Sequence, residues 1–267
     1  MKELTLQEIK EVEVNLLKLF HAFCVENNIR YFISHGTLLG AIRYGHFIPW
    51  DDDLDVLVPR EDYNRLLKLF RDDERYQLFA YEKNTSYRYP YAKLCDMTTR
   101  KVETGYNNGV ELGIDIDVFP LDAWDDDLEK AKREAKRQKR NMFCLGLTKR
   151  ERADSHNPAK RVVKGIVMAL CKMRGSAYYV EKIMSGACKP EQTGSRYMGG
   201  KSWCVYGQRD IMDASIFSEA VELEFEGQKF FAPVGYDAFL TNLYGDYLPE
   251  PPVEKRKTHH SFKAYKL

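Results

Sequence analysis

The sequence predicts a mixed α/β fold, in which a mixed sheet is flanked by helices and carries a helical insertion. Segments near 53–58 and 113–122 alternate apolar and acidic residues, which is the two-residue period of strands with two different faces. Segments near 6–23 and 128–173 space their apolar residues at helical intervals instead. Because strands and helices follow one another through the first 123 residues, helices are expected to pack on the sheet.

The first 123 residues are predicted to contain helices and strands in turn. Thr5-Leu-Gln-Glu8 fits a capping box, so a helix is expected to begin there and to end at Asn27-Asn28. A second, shorter helix is expected to end at Gly45, because glycine is favoured after the last turn of a helix. In chain order, the further elements are a strand at 30–34, a helix at 38–44, a strand at 53–58, a helix at 60–70, and strands at 76–81, 91–95 and 113–122.

Residues 124–200 differ in character and are predicted to form a basic helical insertion. Leu128–Lys164 holds thirteen Lys or Arg residues against four Asp or Glu residues. Arg161–Met173 is apolar with lysines at its borders. We interpret the insertion in two ways, as a charged helix beside a core helix, or as a docking surface for an anionic membrane or a lipid-linked acceptor.

The C-terminal segment, residues 201–267, is predicted to return to the core. Leu223–Phe231 is typical of a hairpin that turns at Glu226-Gly227, and a helix is expected at 235–244. The predicted organisation therefore has three parts, a core at 1–123, the insertion at 124–200 and this segment.

Composition excludes some classes of protein. At 267 residues the chain is long enough for one sizeable domain, and a net charge of +1 argues against a nucleic-acid binder. The six cysteines are scattered without a Cys-x-x-Cys pair, which favours reduced thiols over disulfides or a zinc site. The N-terminus lacks a signal peptide's apolar core, and no run reaches the length of a membrane span. We expect a cytoplasmic protein, able to contact the inner face of the cell membrane through its basic insertion.

An acidic cluster carries the strongest functional signal. Asp51, Asp52, Asp53 and Asp55 lie directly before an apolar run, and carboxylates packed so closely repel one another unless a cation compensates. On a strand, Asp53 and Asp55 share a face and lie about 6–7 Å apart at the backbone. Such a pair suits Mg²⁺, with Mn²⁺ as the alternative, bridging to a substrate phosphate. Asp51 and Asp52 fit a solvent-exposed acidic turn.

A glycine turn precedes this cluster. Gly36-Thr37 follows the first strand and comes directly before a predicted helix. Backbone N–H groups at a helix start bind anions, and Gly36 leaves room for a phosphate to approach. Arg43 adds a positive charge further along the helix. The same pattern is also that of an ordinary helix cap, so its functional interpretation depends on the nearby carboxylates.

A second acidic strand offers a third carboxylate. In Gly113–Asp122, Asp115 and Asp117 share one face while Ile114, Ile116 and Val118 share the other. Metal-assisted phosphoryl transfer uses such a group as a further ligand or as the base that takes a proton from the attacking hydroxyl. Lys93 lies on another predicted strand, where it is either a gatekeeper at a sheet edge or a phosphate contact.

These segments resemble the LicD family, which belongs to the nucleotidyltransferase-fold superfamily and includes the fukutin-type proteins. The resemblance runs from about residue 25 to 122 and returns at about 223 to 260. Its motifs are Gly36-Thr-Leu-Leu-Gly-Ala-Ile-Arg43, Trp50-Asp-Asp-Asp-Leu-Asp-Val56, Ile116-Asp-Val-Phe-Pro-Leu-Asp122, and a tail with Phe230-Phe-Ala-Pro233 and Tyr244-Gly-Asp-Tyr-Leu-Pro249.

The resemblance implies a nucleotidyltransferase-like core and a phosphotransferase that uses a CDP-linked alcohol. Family members are associated with moving phosphocholine from CDP-choline onto bacterial surface glycans, and the fukutin-type relatives with moving ribitol phosphate. Carried onto this chain, the family's turn and three acids become Gly36-Thr37, Asp53 with Asp55, and Asp117. The family commonly has an apolar or aromatic residue where this chain has Asp115, so Asp115 and Asp117 both remain candidates for the third ligand.

The sequence therefore favours metal-dependent transfer of an alcohol phosphate from a CDP-alcohol donor to a hydroxyl of a glycan or lipid-linked glycan, with release of CMP. Phosphocholine is the group favoured. Two alternatives remain at this point. One is a nucleotidyltransferase that consumes a nucleoside triphosphate and releases pyrophosphate, and the other is a catalytically silent binding protein of the same fold.

Overall fold

The computed structural model contains both helices and strands and describes residues 1–103, 105–107, 109–153, 157–188, 194–258 and 262–267. The helices are α1 (Leu6–Glu26), α2 (His35–Tyr44), α3 (Arg60–Leu69), α4 (Leu128–Lys149), α5 (Pro158–Arg174), α6 (Ser176–Ala187) and α7 (Tyr236–Tyr244). The strands are β1 (Lys2–Glu3), β2 (Phe32–Ile33), β3 (Asp55–Pro59), β4 (Tyr76–Phe79), β5 (Ala92–Glu103), β6 (Leu112–Ala123), β7 (Tyr197–Gly199), β8 (Met212–Asp213), β9 (Ala220–Phe225), β10 (Gln228–Pro233) and β11 (Phe262–Lys266).

A mixed sheet forms the centre of the molecule. Its main path runs β1-β11-β5-β6-β3-β2, β4 pairs with β5, and β7 continues from β6 to β8. β3 and β6 are parallel, whereas the other pairs in the sheet are antiparallel. β9 and β10 form the expected separate hairpin. The predicted mixed α/β fold class is confirmed.

Local sequence signals explain the helices next to the site. The Thr5 and Glu8 side chains form both bonds of a capping box at the start of α1, and Asn27 follows its last turn as expected. α2 ends at Gly45, which has a φ of 71° and so adopts the left-handed conformation that glycine accommodates most easily.

Several element bounds differ from the sequence prediction. β2 covers only Phe32–Ile33, because the chain turns into α2 at His35 directly after Ser34, whose N–H still donates to the Asp55 carbonyl across the strand pair. α2 begins at His35, three residues before the expected start, so Gly36 and Thr37 lie in its first turn. β3 begins at Asp55, because the Asp55 N–H is bonded to the Thr37 hydroxyl. The prediction that placed Asp53 on this strand is therefore wrong by two residues.

The main hydrophobic core joins the beginning and the end of the chain. Leu17 of α1 and Val56 of β3 belong to the same buried cluster as Phe225, Phe230 and Phe239 from the C-terminal segment. A second cluster holds α4, α5 and α6 together through residues such as Leu145, Val180 and Ile183. The division into three parts at 123 and 200 stays a prediction. Within the described residues, no helix is both long enough and apolar enough to cross a bilayer.

Candidate active site

A cavity of about 1300 Å³ collects the predicted site residues beside β3, β5 and β6. Six of the seven line its wall, namely Gly36, Arg43, Asp53, Asp55, Lys93 and Asp117. Thr37 is buried, and its hydroxyl oxygen accepts a bond of 2.8 Å from the Asp55 N–H. Thr37 therefore fixes the backbone at Asp55 in this structure. Its predicted contact with a phosphate stays a prediction.

The strand register brings the acids together. Asp55 of β3 lies directly opposite Asp117 of β6, and Asp117 lies opposite Lys93 of β5. The Asp117 N–H donates to the Leu54 carbonyl at 2.8 Å, which extends this pairing just beyond the end of β3. Residues opposite one another on neighbouring strands point to the same face. The two carboxylates and the lysine are thus held at one level of the sheet.

The acidic turn before β3 is part of the site. One carboxylate oxygen from each of Asp51, Asp52 and Asp53 lies within 4.8 Å of the other two. Asp52 is only 6% exposed, so the expectation of a solvent-exposed turn is wrong for Asp52, whereas Asp51 is partly exposed and lines the cavity. The turn packs against the start of α2, where a Cβ atom on Gly36 would lie 2.7 Å from the Asp51 Oδ2. A glycine at residue 36 therefore makes room for Asp51.

The electrostatics of these acids favour a bound cation. Burial and the negative charges of Asp53 and Asp117 raise the pKa of Asp55 well above its usual range. Burial also raises the pKa of Asp117 to about 6, although Lys93 opposes the shift. Clustered carboxylates are hard oxygen ligands of the type that Mg²⁺ and Mn²⁺ prefer. The residues present therefore have the chemistry that a divalent metal needs. The carboxylates shown to lie within 4.8 Å of one another are Asp51, Asp52 and Asp53, and the ligand set Asp53, Asp55 and Asp117 stays a prediction.

Asp115 has different partners from Asp117. Its carboxylate accepts a bond of 2.9 Å from Lys101 and a second bond from Lys93. These two ammonium groups hold its pKa well below the usual range even though burial opposes this. The Asp115 side chain is 2% exposed, compared with 13% for Asp117. The geometry therefore favours Asp117 as the third carboxylate, and the choice between the two stays a prediction.

Lys93 and Arg43 bring positive charge to the cavity wall. Lys93 forms ion pairs with Asp115 and Asp117 and is buried in β5 at a point where β4 pairs on one side and β6 on the other. The alternative interpretation of Lys93 as an edge gatekeeper is therefore wrong. Arg43 donates to the carbonyl oxygens of Tyr247 and Pro249, so α2 is bonded to the C-terminal segment.

Comparisons with known proteins cover the part of the chain that contains the predicted site residues. A family model described as the LicD/FKTN/FKRP nucleotidyltransferase domain matches residues 28–159. The whole chain is 31% identical, over 274 aligned positions that cover 100% of both proteins, to the lipopolysaccharide cholinephosphotransferase LicD of Haemophilus influenzae. The chain belongs to the LicD family.

Shorter matches occur as well. An uncharacterized protein of Rickettsia prowazekii is 43% identical to this chain over 60 residues, which are 22% of the chain. An uncharacterized protein of Rickettsia typhi is 44% identical over 59 residues, which are 21% of the chain. These matches cover 23% and 19% of the two rickettsial proteins. The LicD-family match confirms the resemblance inferred from the motifs, and it includes all seven predicted site residues.

Sequence reasoning missed the buried Lys149 in the wall of this LicD-family cavity. Lys149, at the end of α4, lines the wall with its ammonium group over the ring of Tyr89. Burial lowers the pKa of Lys149 well below its usual value. In the sequence Lys149 is one of thirteen basic residues in its segment, and no local pattern distinguishes it from the others.

His35 and several aromatic side chains were missed for the same reason. His35 has a φ of 45°, stacks on Tyr206, and has its pKa lowered to about 4 by burial. Trp203 stacks on Phe119 of β6 in the cavity wall. These contacts join residues that are far apart in the chain, and nothing in their local sequence indicates them.

Proposed function

We propose that this chain transfers phosphocholine from a CDP-linked donor to a hydroxyl of a bacterial surface glycan or its lipid-linked precursor, and that it uses Mg²⁺ or Mn²⁺. The full-length similarity to a lipopolysaccharide cholinephosphotransferase is the observation that carries the choice of phosphocholine. The cavity supports the choice of reaction, because Asp53, Asp55, Asp117 and Lys93 all line its wall. A catalytically silent binder would not need this arrangement.

The proposed chemistry is a displacement at phosphorus. The hydroxyl oxygen of the acceptor bonds to the distal phosphorus of the diphosphate, the bond from that phosphorus to the bridging oxygen breaks, and CMP leaves with the electron pair. Asp117 orients the hydroxyl or takes its proton. A divalent cation held by the three aspartates would neutralise charge on the diphosphate.

Residues of the wall position the donor. The positive end of α2 favours an anion near its first turn, where Gly36 and Thr37 are the proposed phosphate contacts. Lys93 and Arg43, which both line the cavity, offset the negative charge of the diphosphate. Positioning and charge neutralisation account for most of the rate enhancement in phosphoryl transfer.

Product analysis tests the proposal. The purified chain, supplied with Mg²⁺, CDP-choline and a glycan acceptor, should attach one phosphocholine to the acceptor for each CMP released, as followed by ³¹P NMR. EDTA should stop the reaction and added Mg²⁺ or Mn²⁺ should restore it. Pyrophosphate release from CTP or ATP would instead identify a nucleotidyltransferase. Absence of turnover with any CDP-alcohol or nucleoside triphosphate would favour a silent binder.

A further inference from the structure

Helix α5 exposes an apolar stripe on the outer surface of the molecule. Six large apolar side chains of this helix are between 37% and 84% exposed, namely Val162, Val163, Ile166, Val167, Leu170 and Met173. At 100° per residue they lie within a sector of about 140°. Cys171 is the one residue of α5 that is classed as buried within its described side chains. The helix therefore turns its broader apolar face away from the protein.

This arrangement is the reverse of an ordinary surface helix. Helices in globular proteins gain most of their stability by packing an apolar stripe on the core, and the opposite face is polar. Contiguous apolar surface of this kind marks a site of interaction with another molecule. The stripe therefore requires a partner with an apolar layer.

The charge of α5 selects the kind of partner. The helix contains five basic residues and no Asp or Glu, the basic ones being Lys160, Arg161, Lys164, Lys172 and Arg174. A helix with an apolar face and a basic polar face lies in the interface of an anionic bilayer, with its apolar side chains among the acyl chains. Its basic side chains then meet lipid phosphates.

The stripe is continuous with the proposed active site. Phe143 of α4 is 60% exposed and lines both the large cavity and an apolar groove of about 400 Å³ between α4 and α5. The groove continues onto Val163 and Val167 of the stripe. A bilayer that covers α5 would thus lie next to one wall of the cavity.

We propose that α5 docks this protein on the surface of an anionic lipid bilayer. The apolar stripe enters the interface, and the basic residues of the same helix bind the phosphate head groups. Docking holds the cavity close to a bilayer, where a lipid-linked acceptor is concentrated. The docking surface does not depend on the proposed chemistry, and it would stand if that chemistry were wrong.

Vesicle binding tests this surface without any assay of turnover. Vesicles of phosphatidylcholine with 30% phosphatidylglycerol should co-sediment the full chain at low salt, and pure phosphatidylcholine vesicles should bind it far more weakly. The double substitution Ile166→Asn with Leu170→Asn should weaken binding at least tenfold. Substitution of Lys160, Arg161 and Lys172 by Gln should also weaken it and reduce its dependence on salt.

Matched controls separate docking from general loss of apolar surface. Val25→Asn with Leu69→Asn removes two exposed apolar side chains from α1 and α3 and should leave binding unchanged. Thermal unfolding should show that every variant is folded. The proposal is overturned if the wild type ignores anionic vesicles at low salt, or if the α5 variants bind as well as the wild type. It is also overturned if light scattering shows a dimer that the Ile166 and Leu170 substitutions dissociate, because a second copy would then cover the stripe.

Discussion

Asp53 tests the metal hypothesis at the scale of one residue. Asp53→Asn keeps the size of the side chain and removes one negative charge from a cluster in which the acids repel one another. The variant should stay folded, and its melting temperature should equal or exceed that of the wild type. CMP release should fall at least about 10²-fold, which is the scale of losing one strong electrostatic contact in an active site. Unchanged release from both this variant and the EDTA-treated wild type would exclude the metal. Asp246→Asn, on another part of the cavity wall, is the matched control.

Substitution of Asp115 should mainly lower stability, whereas substitution of Asp117 should mainly lower turnover. Asp115→Asn removes the carboxylate that pairs with both Lys93 and Lys101 and leaves Lys93 paired with Asp117 alone, so it should destabilise the fold by about 3–5 kcal/mol while retaining measurable transfer. Asp117→Asn should abolish transfer with a smaller effect on stability, because burial already disfavours its charge. Urea unfolding and steady-state rates of both variants make the comparison. The opposite ranking of the two rates would assign the third ligand to Asp115.

His35 should make stability depend on pH. Its pKa is about 4 in the fold, below the usual 6.5, so the folded state binds fewer protons than the unfolded state in that range. Its contribution is fully present above about pH 6.5 and is lost as the pH falls towards 4. The expected loss is about 3 kcal/mol. The free energy of unfolding of His35→Asn should fall less over this range. Asparagine is a suitable control because it tolerates the positive φ of residue 35.

At the scale of elements, α4 carries a buried cation to the cavity. Lys149→Met removes an ammonium group that burial disfavours, so the variant should melt at a higher temperature. If Lys149 also meets a substrate phosphate, the KM for the CDP-linked donor should rise by about tenfold, the effect of losing one charged hydrogen bond. Lys136→Met, at an exposed residue of the same helix, should change neither quantity. An unchanged KM for Lys149→Met would limit Lys149 to a structural role.

Elements and motifs were predictable to different degrees. The capping box at Thr5, the stop at Gly45 and the alternation in β6 are local signals, and each gave the correct element. The starts of α2 and β3 were missed because the Thr37–Asp55 bond joins residues 18 apart and fixes both starts. For the site, Asp55 and Asp117 were recognisable because charge is rare on apolar strands, and Asp53 because it belongs to a run of acids directly before β3. Lys149 and His35 owe their burial and their aromatic contacts to tertiary packing, and no local sequence pattern indicates that packing.

At the scale of the whole molecule, residues of the C-terminal segment complete the main core. Phe225, Phe230 and Phe239 pack in the main cluster, and β11 pairs with β5. The fragment 1–123 expressed alone should therefore expose the partners of these side chains and fail to unfold cooperatively in urea, whereas the full chain should show one cooperative transition of its core. A fragment with a sharp transition of its own would show that the C-terminal segment is an appendage.

The register of β3 and β6 has a consequence for how this gene can change. Because side chains alternate along a strand, a one-codon deletion or insertion between residues 112 and 117 would bring Val118 or Ile116 opposite Asp55 in place of the Asp117 carboxylate. Apolar residues in these strands can exchange for one another at modest cost, whereas a change of length removes a proposed ligand at once. Insertions or deletions that keep the reading frame should therefore be far less tolerated in this segment than substitutions of its apolar residues. The length of the strand is then under a stricter constraint than the identity of these residues.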